Sequence, residues 1–419
     1  MLNRLSIWLL IGLLGIMPAL LLSTSSGGSA AYYLILAAGV LCALTMRGGR
    51  VALLQPYVPV LIAFSLPLLA MAWSAFMLDA WGEVNFERGL RLALGAPLLL
   101  LAMLHARQSL HHALWGPLAA GWVAACSVVA LIYPDLSQRP LTQYYNAVGY
   151  GNLMLLMAAL SMLSLPFRLT RFPRAEMAFK LLTSAATFAG FVLTQTRSGW
   201  MALPVFIVLA IVLYARLRHP VRLGGAVLAV LVGLVAIGAS NPQLRDRVAL
   251  GINQTTQCFT SNDQANTSIC VRVQLWRSAL DMAQAQPFTG VGSGEAFKAQ
   301  LRRFNDERLI SQYVASNYGE PHNDLLDSLA LHGIPGGIAL LLLYLVPTIE
   351  FVRRLRPDLP QTVRAAAAMG IATCLGFAIF GLTEMMFRGM RTLGFYVVLV
   401  TLFLALSDWH RSSRSEPPV

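Results

Sequence analysis

Four short polar fragments interrupt a sequence that is otherwise mostly apolar, and their residues are of the types that bind phosphate and move protons. They are Gln195-Thr196-Arg197-Ser198-Gly199-Trp200, then Arg272 with Trp276 four positions on, then Gly290-Val291-Gly292 with Gly294, and finally Pro321-His322-Asn323-Asp324 with Leu326. His322 has the sharpest local physics. Asn323 can cap a helix starting at Asp324, which leaves His322 at the helix mouth, where the positive end of the macrodipole disfavours imidazolium and favours anions. A neutral imidazole there is a competent general base. Arg197 lies in a very short connection between two apolar runs, and so tight a turn points its guanidinium toward the bundle, with the fork that suits bidentate phosphate contact. A snorkelling anchor at a span end accounts for Arg197 equally well from the residues alone. Arg272 sits between apolar positions as either a rim charge over an apolar face or a phosphate ligand at the membrane surface.

The elements that must hold these residues are membrane helices. The chain has 419 residues, is 57% hydrophobic and only 12% charged, with a mean hydropathy of +0.63, so lipid is its main solvent. Helix-length apolar runs exclude a barrel and predict about twelve spans, near 5–22, 30–46, 53–78, 89–104, 113–132, 149–166, 181–196, 199–215, 223–239, 325–349, 365–387 and 393–409. The first run, led by Arg4, is expected to be an uncleaved helix. Short-loop arginines crowd the side that holds Arg47, Arg107, Arg171, Arg218 and Arg353, while the opposite short loops hold Arg88, Arg91, Arg139, Arg197, Arg388 and Arg391. That asymmetry places both termini in the cytoplasm and the long segment 240–322 outside it.

The chain then divides into 1–239 with nine spans, a lobe at 240–322, and 323–419 with three spans and a cytoplasmic tail. Ile269, Val273, Trp276, Leu280 and Ala283 recur at helical spacing in the lobe, as do Phe297, Leu301 and Phe304. Two amphipathic helices along the membrane surface are the expectation, joined by a turn at Pro287 and the following glycines. Cys258 and Cys270 bracket a polar stretch, and outside the cytoplasm such a pair is expected to form a disulfide. Cys42, Cys126 and Cys374 read as packing within spans.

The net charge of +12 follows from topology and anionic headgroups, and nothing in the pattern calls for nucleic acid. No Asp-x-Asp occurs, and Asp306, Glu307, Glu320, Asp324 and Asp327 read as caps, solvated charges or partners for lobe arginines, so no metal or other cofactor is expected. Arg88, Arg139, Arg388 and Arg391, with Gln195 and Asn323, are possible further substrate contacts. Tyr144, Tyr145, Tyr313 and Tyr318 could stack on sugars or belong to an interfacial aromatic belt. A transporter or flippase of lipid-linked anions is the rival from another class. Such proteins place charges near the bilayer midplane and repeat their halves, whereas here charges cluster at span ends, Glu384 included.

Taken in order, the fragments resemble the O-antigen ligase and polymerase superfamily, whose shared region carries a Q-x-R-(S/G)-(G/A) turn, R-x-x-x-W with a following P-x-x-G-x-G, and H-N-x-x-L opening a span. The resemblance covers about 190–340 and, by length and the single dominant loop, looks most like the ligase. It implies an all-α, glycosyltransferase-C-like membrane enzyme of the bacterial inner membrane, with its site at the periplasmic face. The implied donor is undecaprenyl-diphosphate-linked O-antigen, with its diphosphate on Arg197 and Arg272, and the implied acceptor is the lipid A core. His322 would be the base in a metal-independent inverting transfer. A polymerase or a protein O-glycosyltransferase of the same superfamily is the nearest alternative.

Overall fold

The computed structural model describes residues 2–46, 50–135, 138–140, 147–214, 225, 258, 267–387 and 389–408, and every regular element among them is helical. The first half holds α1 (Leu2–Ser23), α2 (Gly27–Thr45), the short α3 (Arg50–Leu54), α4 (Val58–Leu78), α5 (Glu87–His105), α6 (Trp115–Ile132), α7 (Ala147–Leu163), α8 (Pro173–Leu193) and α9 (Leu203–Tyr214). Then come α10 (Ser268–Ala285), α11 (Gly294–Asp306), α12 (Gln312–Asn317), α13 (Asp324–Val352), α14 (Gln361–Phe380) and α15 (Met390–Leu406).

Eight of these helical stretches are long and apolar enough to cross a membrane, and three shorter apolar helices accompany them at Ala147–Leu163, Ser198–Tyr214 and Met390–Leu406. The chain is a multi-pass membrane protein. Of the predicted span at 223–239 only Gly225 is among the described residues, and Tyr144 and Tyr145 lie outside them. Lipid as solvent explains why Leu69, Phe76, Leu94 and Leu345 face outward while Tyr32, Phe64, Phe377 and Tyr396 fill the interior. Within that interior α13 is the pivot, since it packs against α4, α14 and α10 at once.

Two spans differ from the sequence expectation. Expected at 181–196, α8 starts a full two turns earlier, at Pro173, because its charges are neutralised inside the fold. Lys180 pairs with Glu176 at 2.6 Å and donates to the carbonyls of Ser164 and Phe167, so it is a buried tie and not a headgroup charge. The span expected at 365–387 leaves the helix at Phe380, which puts Glu384 in a turn beyond it.

The lobe helices cap themselves with Thr267, Ser293 and Ser311. The α11 stripe of Phe297, Leu301 and Phe304 is buried as expected. The α10 stripe is not the expected one. Its buried face runs through Val271, Leu275, Ala279 and Met282, whereas Leu280 is exposed. Hydropathy missed this face because Gln274 and Ser278 lie on it; Gln274 is tolerated there because its Oε1 accepts the Ser311 N–H at 2.7 Å. These faces turn onto each other and onto Ala330 and Leu331 of α13, making a small core separate from the main bundle. Cys258 and Cys270 are joined by a disulfide, with Cα atoms 5.3 Å apart.

Candidate active site

Helix α13 begins where it does because Asn323 caps it. The Asn323 Oδ1 accepts the N–H groups of Leu325 and Leu326, each at 3.0 Å, and its Nδ2 donates to the Leu382 carbonyl at 3.0 Å. His322 therefore stands at the mouth of the helix. Its backbone has φ of 50°, a conformation uncommon for any residue but glycine and one that clusters at functional sites. The imidazole Nδ1 is shielded from solvent and lies 3.6 Å from Glu320 Oε1 and 3.8 Å from Glu384 Oε1. These distances are too long for direct hydrogen bonds, yet they are close enough for both carboxylates to feel the ring's charge. The Tyr318 ring meets the imidazole edge-on at 5.7 Å.

Glu384 reaches this point because the segment after α14 is bound to Asp324 instead of continuing as helix. The Gly381 carbonyl accepts the Asp324 N–H at 2.8 Å, and the buried Asp324 carboxylate accepts the N–H groups of Met386 and Phe387 at 3.1 and 3.2 Å. The α14–α15 turn is thus folded against the start of α13, with Glu384 brought beside His322.

The lobe is attached to the same place. Trp276 Nε1 donates to the Pro321 carbonyl at 2.9 Å, so the tryptophan of the Arg272-x-x-x-Trp276 fragment braces the residue just before His322. Arg272 is half-buried, and its Nε is shielded without a hydrogen-bond partner among the described residues. It lies close enough to Tyr318 to act on its hydroxyl. Burial, with Tyr313 adding to it, pushes that hydroxyl's pKa up, and the Arg272 charge opposes the rise.

The glycine-rich turn has a backbone task. At Gly333, φ is 64° and α13 kinks, and Pro335 has no N–H to offer the Leu331 carbonyl four residues back. The turn satisfies what the kink frees. Val291 and Gly292 donate to the carbonyls of Ala330 and Leu331, each at 2.8 Å, and Ile334 donates to the Pro287 carbonyl at 2.7 Å. Gly290 has φ of 62°, and a Cβ there would strike the Leu331–His332 peptide. From α4, Trp73 and Ser74 pin the same turn through the carbonyls of Phe288 and Thr289.

The Gln195–Trp200 fragment forms the turn between α8 and a single 3-10 turn, Ser198–Met201, that leads into α9 and packs against α14. Gln195 has φ of 54°, and Thr194 and Thr196 are buried and bonded to each other at 2.8 Å. Arg197 differs from its expectation. Its side chain is exposed, with no hydrogen bond or ion pair among the described residues, because the buried threonines on either side of Gln195 take the inward positions of the turn. Arg139 is exposed, Arg391 opens α15 beside Gly28, Arg88 lines a cavity next to the lobe, and Arg388 lies outside the described residues. The structure therefore gathers His322, Asn323, Arg272 and Trp276, and leaves Arg197 and Arg139 without a contact to them.

Residues 182–341 match the family model described as O-antigen ligase. Those residues are an O-antigen ligase superfamily domain. The match runs from within α8 through the lobe to the middle of α13, so it takes in all four motif fragments and the kink. Over 275 residues the chain is 24% identical to an uncharacterized protein of Haemophilus influenzae, across 63% of this chain and 65% of that protein, just under two thirds of the relative's length. Glu384 lies outside the family match, and neither it nor Glu320 was singled out as a partner of His322 by the sequence. The available signal was chemical: a carboxylate near the end of a long apolar run is costly unless something engages it.

Proposed function

We propose that this protein is an O-antigen ligase that transfers a glycan from undecaprenyl diphosphate to the lipid A core oligosaccharide at the periplasmic face of the bacterial inner membrane, with both termini in the cytoplasm. The observation that carries the reading is His322 at the mouth of α13, its Nδ1 facing Glu320 and Glu384, within a superfamily domain of that type. Carboxylates on the Nδ1 side favour the tautomer with Nδ1–H, which leaves Nε2 free to accept a proton, and they stabilise the imidazolium that results.

In the proposed reaction the acceptor hydroxyl oxygen bonds to the anomeric carbon as the bond from that carbon to the diphosphate oxygen breaks. The hydroxyl proton passes to His322 Nε2, and undecaprenyl diphosphate departs. One displacement inverts the configuration. Negative charge grows on the departing diphosphate, so arginines placed there bind the transition state more strongly than the ground state. Arg272, with its shielded and unengaged Nε, and Arg197, exposed on its turn, are the residues assigned to that task. One proton and one glycosyl group move, with no call on a metal or organic cofactor.

The test is transfer by purified protein in liposomes given lipid-linked glycan and lipid A core, each omitted in turn. A ligase makes product only when both are present. Chain growth without lipid A core would identify a polymerase, transfer to a protein acceptor would identify a protein O-glycosyltransferase, and movement of lipid-linked glycan across the bilayer without transfer would identify a flippase.

A further inference from the structure

A second polar space adjoins this site. A cavity of about 210 Å³ lies between the α4–α5 loop, the start of α11 and the first turns of α13. That is smaller than the roughly 300–1,000 Å³ of pockets for drug-sized ligands, so it has room for one sugar ring and not for an oligosaccharide. Glu320 lines it, and the same residue places Oε1 3.6 Å from His322 Nδ1.

The lining is mixed in a way that suits hydroxyl groups. Glu83, Glu295, Glu320 and Asp327 supply acceptors, and Arg88, Lys298 and His332 supply donors. Arg88 Nε and His332 Nδ1 are shielded from solvent and have no hydrogen-bond partner among the described residues. Buried polar atoms left so are costly, and a ligand that supplied partners would relieve them. A sugar hydroxyl both donates and accepts, so it can satisfy either kind of wall. Phosphate cannot. With Lys298 paired to Glu295 at 2.8 Å, the wall still holds four carboxylates against the two fixed cations Lys298 and Arg88.

We infer that this cavity receives a sugar of the acceptor adjoining the reacting one, and that the sugar it takes is neutral or amino-substituted, not phosphorylated or acidic. The inference rests on the ligase reading for the word acceptor. The cavity is assigned to the acceptor and not to the donor because its wall carries four carboxylates against Arg88 and Lys298, which would repel the donor's diphosphate, and because Glu320 on that wall stands beside His322.

The experiment uses full-length protein in nanodiscs and two readouts. Saturation-transfer NMR with methyl glucoside, glucosamine and glucose 6-phosphate should show the first two binding and the third excluded. Glu83→Gln and Asp327→Asn should each weaken binding about tenfold, the worth of one hydrogen bond to a charged group. Glu83 lies in an exposed loop, so its variant keeps the test valid if Asp327→Asn fails to fold. In liposomes the same variants should raise the acceptor KM and leave the donor KM alone. Binding of glucose 6-phosphate as tight as glucosamine, or unchanged sugar binding in both variants, overturns the inference. Transfer with an unaltered acceptor KM in both variants also overturns it while the ligase reading stands. Sugar binding of the expected kind with no transfer from any donor leaves the subsite standing and removes the ligase reading.

Discussion

The sharpest consequence of the site concerns Glu320 and Glu384, which touch no part of the proposed bond-making and yet should govern its rate. At 3.6 and 3.8 Å from His322 Nδ1, with no direct hydrogen bond to it, each carboxylate attracts charge developing on the ring by about 1 kcal/mol. The side chains are 21%, 11% and 10% exposed, so bulk solvent screens them only in part. As the proton passes to the ring in the transition state, each carboxylate lowers the barrier by about 1 kcal/mol, or about fivefold in kcat. Glu384→Gln and Glu320→Gln should therefore lower kcat for glycan transfer in liposomes by that order while the donor KM stays near wild type. The decisive measurement is a double-mutant cycle with His322→Ala, which should itself lower transfer to a small residual rate while the protein still inserts and folds. Once the imidazole is gone, removing either carboxylate should have no further effect on residual rate. Two outcomes refute the reasoning: wild-type kcat in both glutamine variants, or a Glu384→Gln loss as large without His322 as with it.

Other perturbations report on neighbouring parts. Arg197→Lys and Arg272→Lys should each lose most activity, because a point charge cannot reproduce a bidentate fork; normal rates in both would return them to membrane anchors. Trp276→Phe removes the bond to Pro321 at a cost of about 1 kcal/mol, and should change kcat more than either KM because it loosens the residue before His322, the proposed base. Gly290→Ala forces a Cβ into the Leu331–His332 peptide at positive φ, and a loss of about 1–3 kcal/mol should appear as earlier thermal unfolding in detergent. Cys258→Ser should lower lobe stability without abolishing transfer, while alkylation of both cysteines in native membranes would discard the disulfide.

Much of this was legible in the residues, for reasons that differ by element. Apolar runs announce membrane helices because lipid leaves the backbone no other way to satisfy itself, and a helix stands at eleven of the twelve expected positions, with only Gly225 of 223–239 among the described residues. The cap at Asn323 was readable because a short polar side chain before an apolar run has one obvious use. What failed was what depends on tertiary partners. The face of α10 could not be read because buried Gln274 and Ser278 count as polar until their partners are known. The direction of Arg197 was set by the threonines flanking Gln195, not by the shortness of the connection. Glu384 was out of reach because its position depends on Asp324, sixty residues earlier, holding the α14–α15 turn by its backbone N–H groups.

Three of the four motif fragments serve one short stretch of backbone. Trp276 holds the Pro321 carbonyl, the Pro287–Gly292 turn replaces the bonds lost at the Gly333 kink, and Asn323 joins the helix mouth to the turn that carries Glu384. A histidine at φ 50° is not a conformation its own residues would choose, so it persists because these contacts over-determine it. Strain held in this way links the lobe to His322. Any movement that shifts α10 against α13 must pull on Pro321 and on the carbonyls of Ala330 and Leu331 together, and so must move His322 relative to Glu384, which is tied to the α14 side. Under the proposed function the lobe is then more than a cover, because binding energy from a glycan held against it would be spent in setting the distance between the imidazole and its carboxylates.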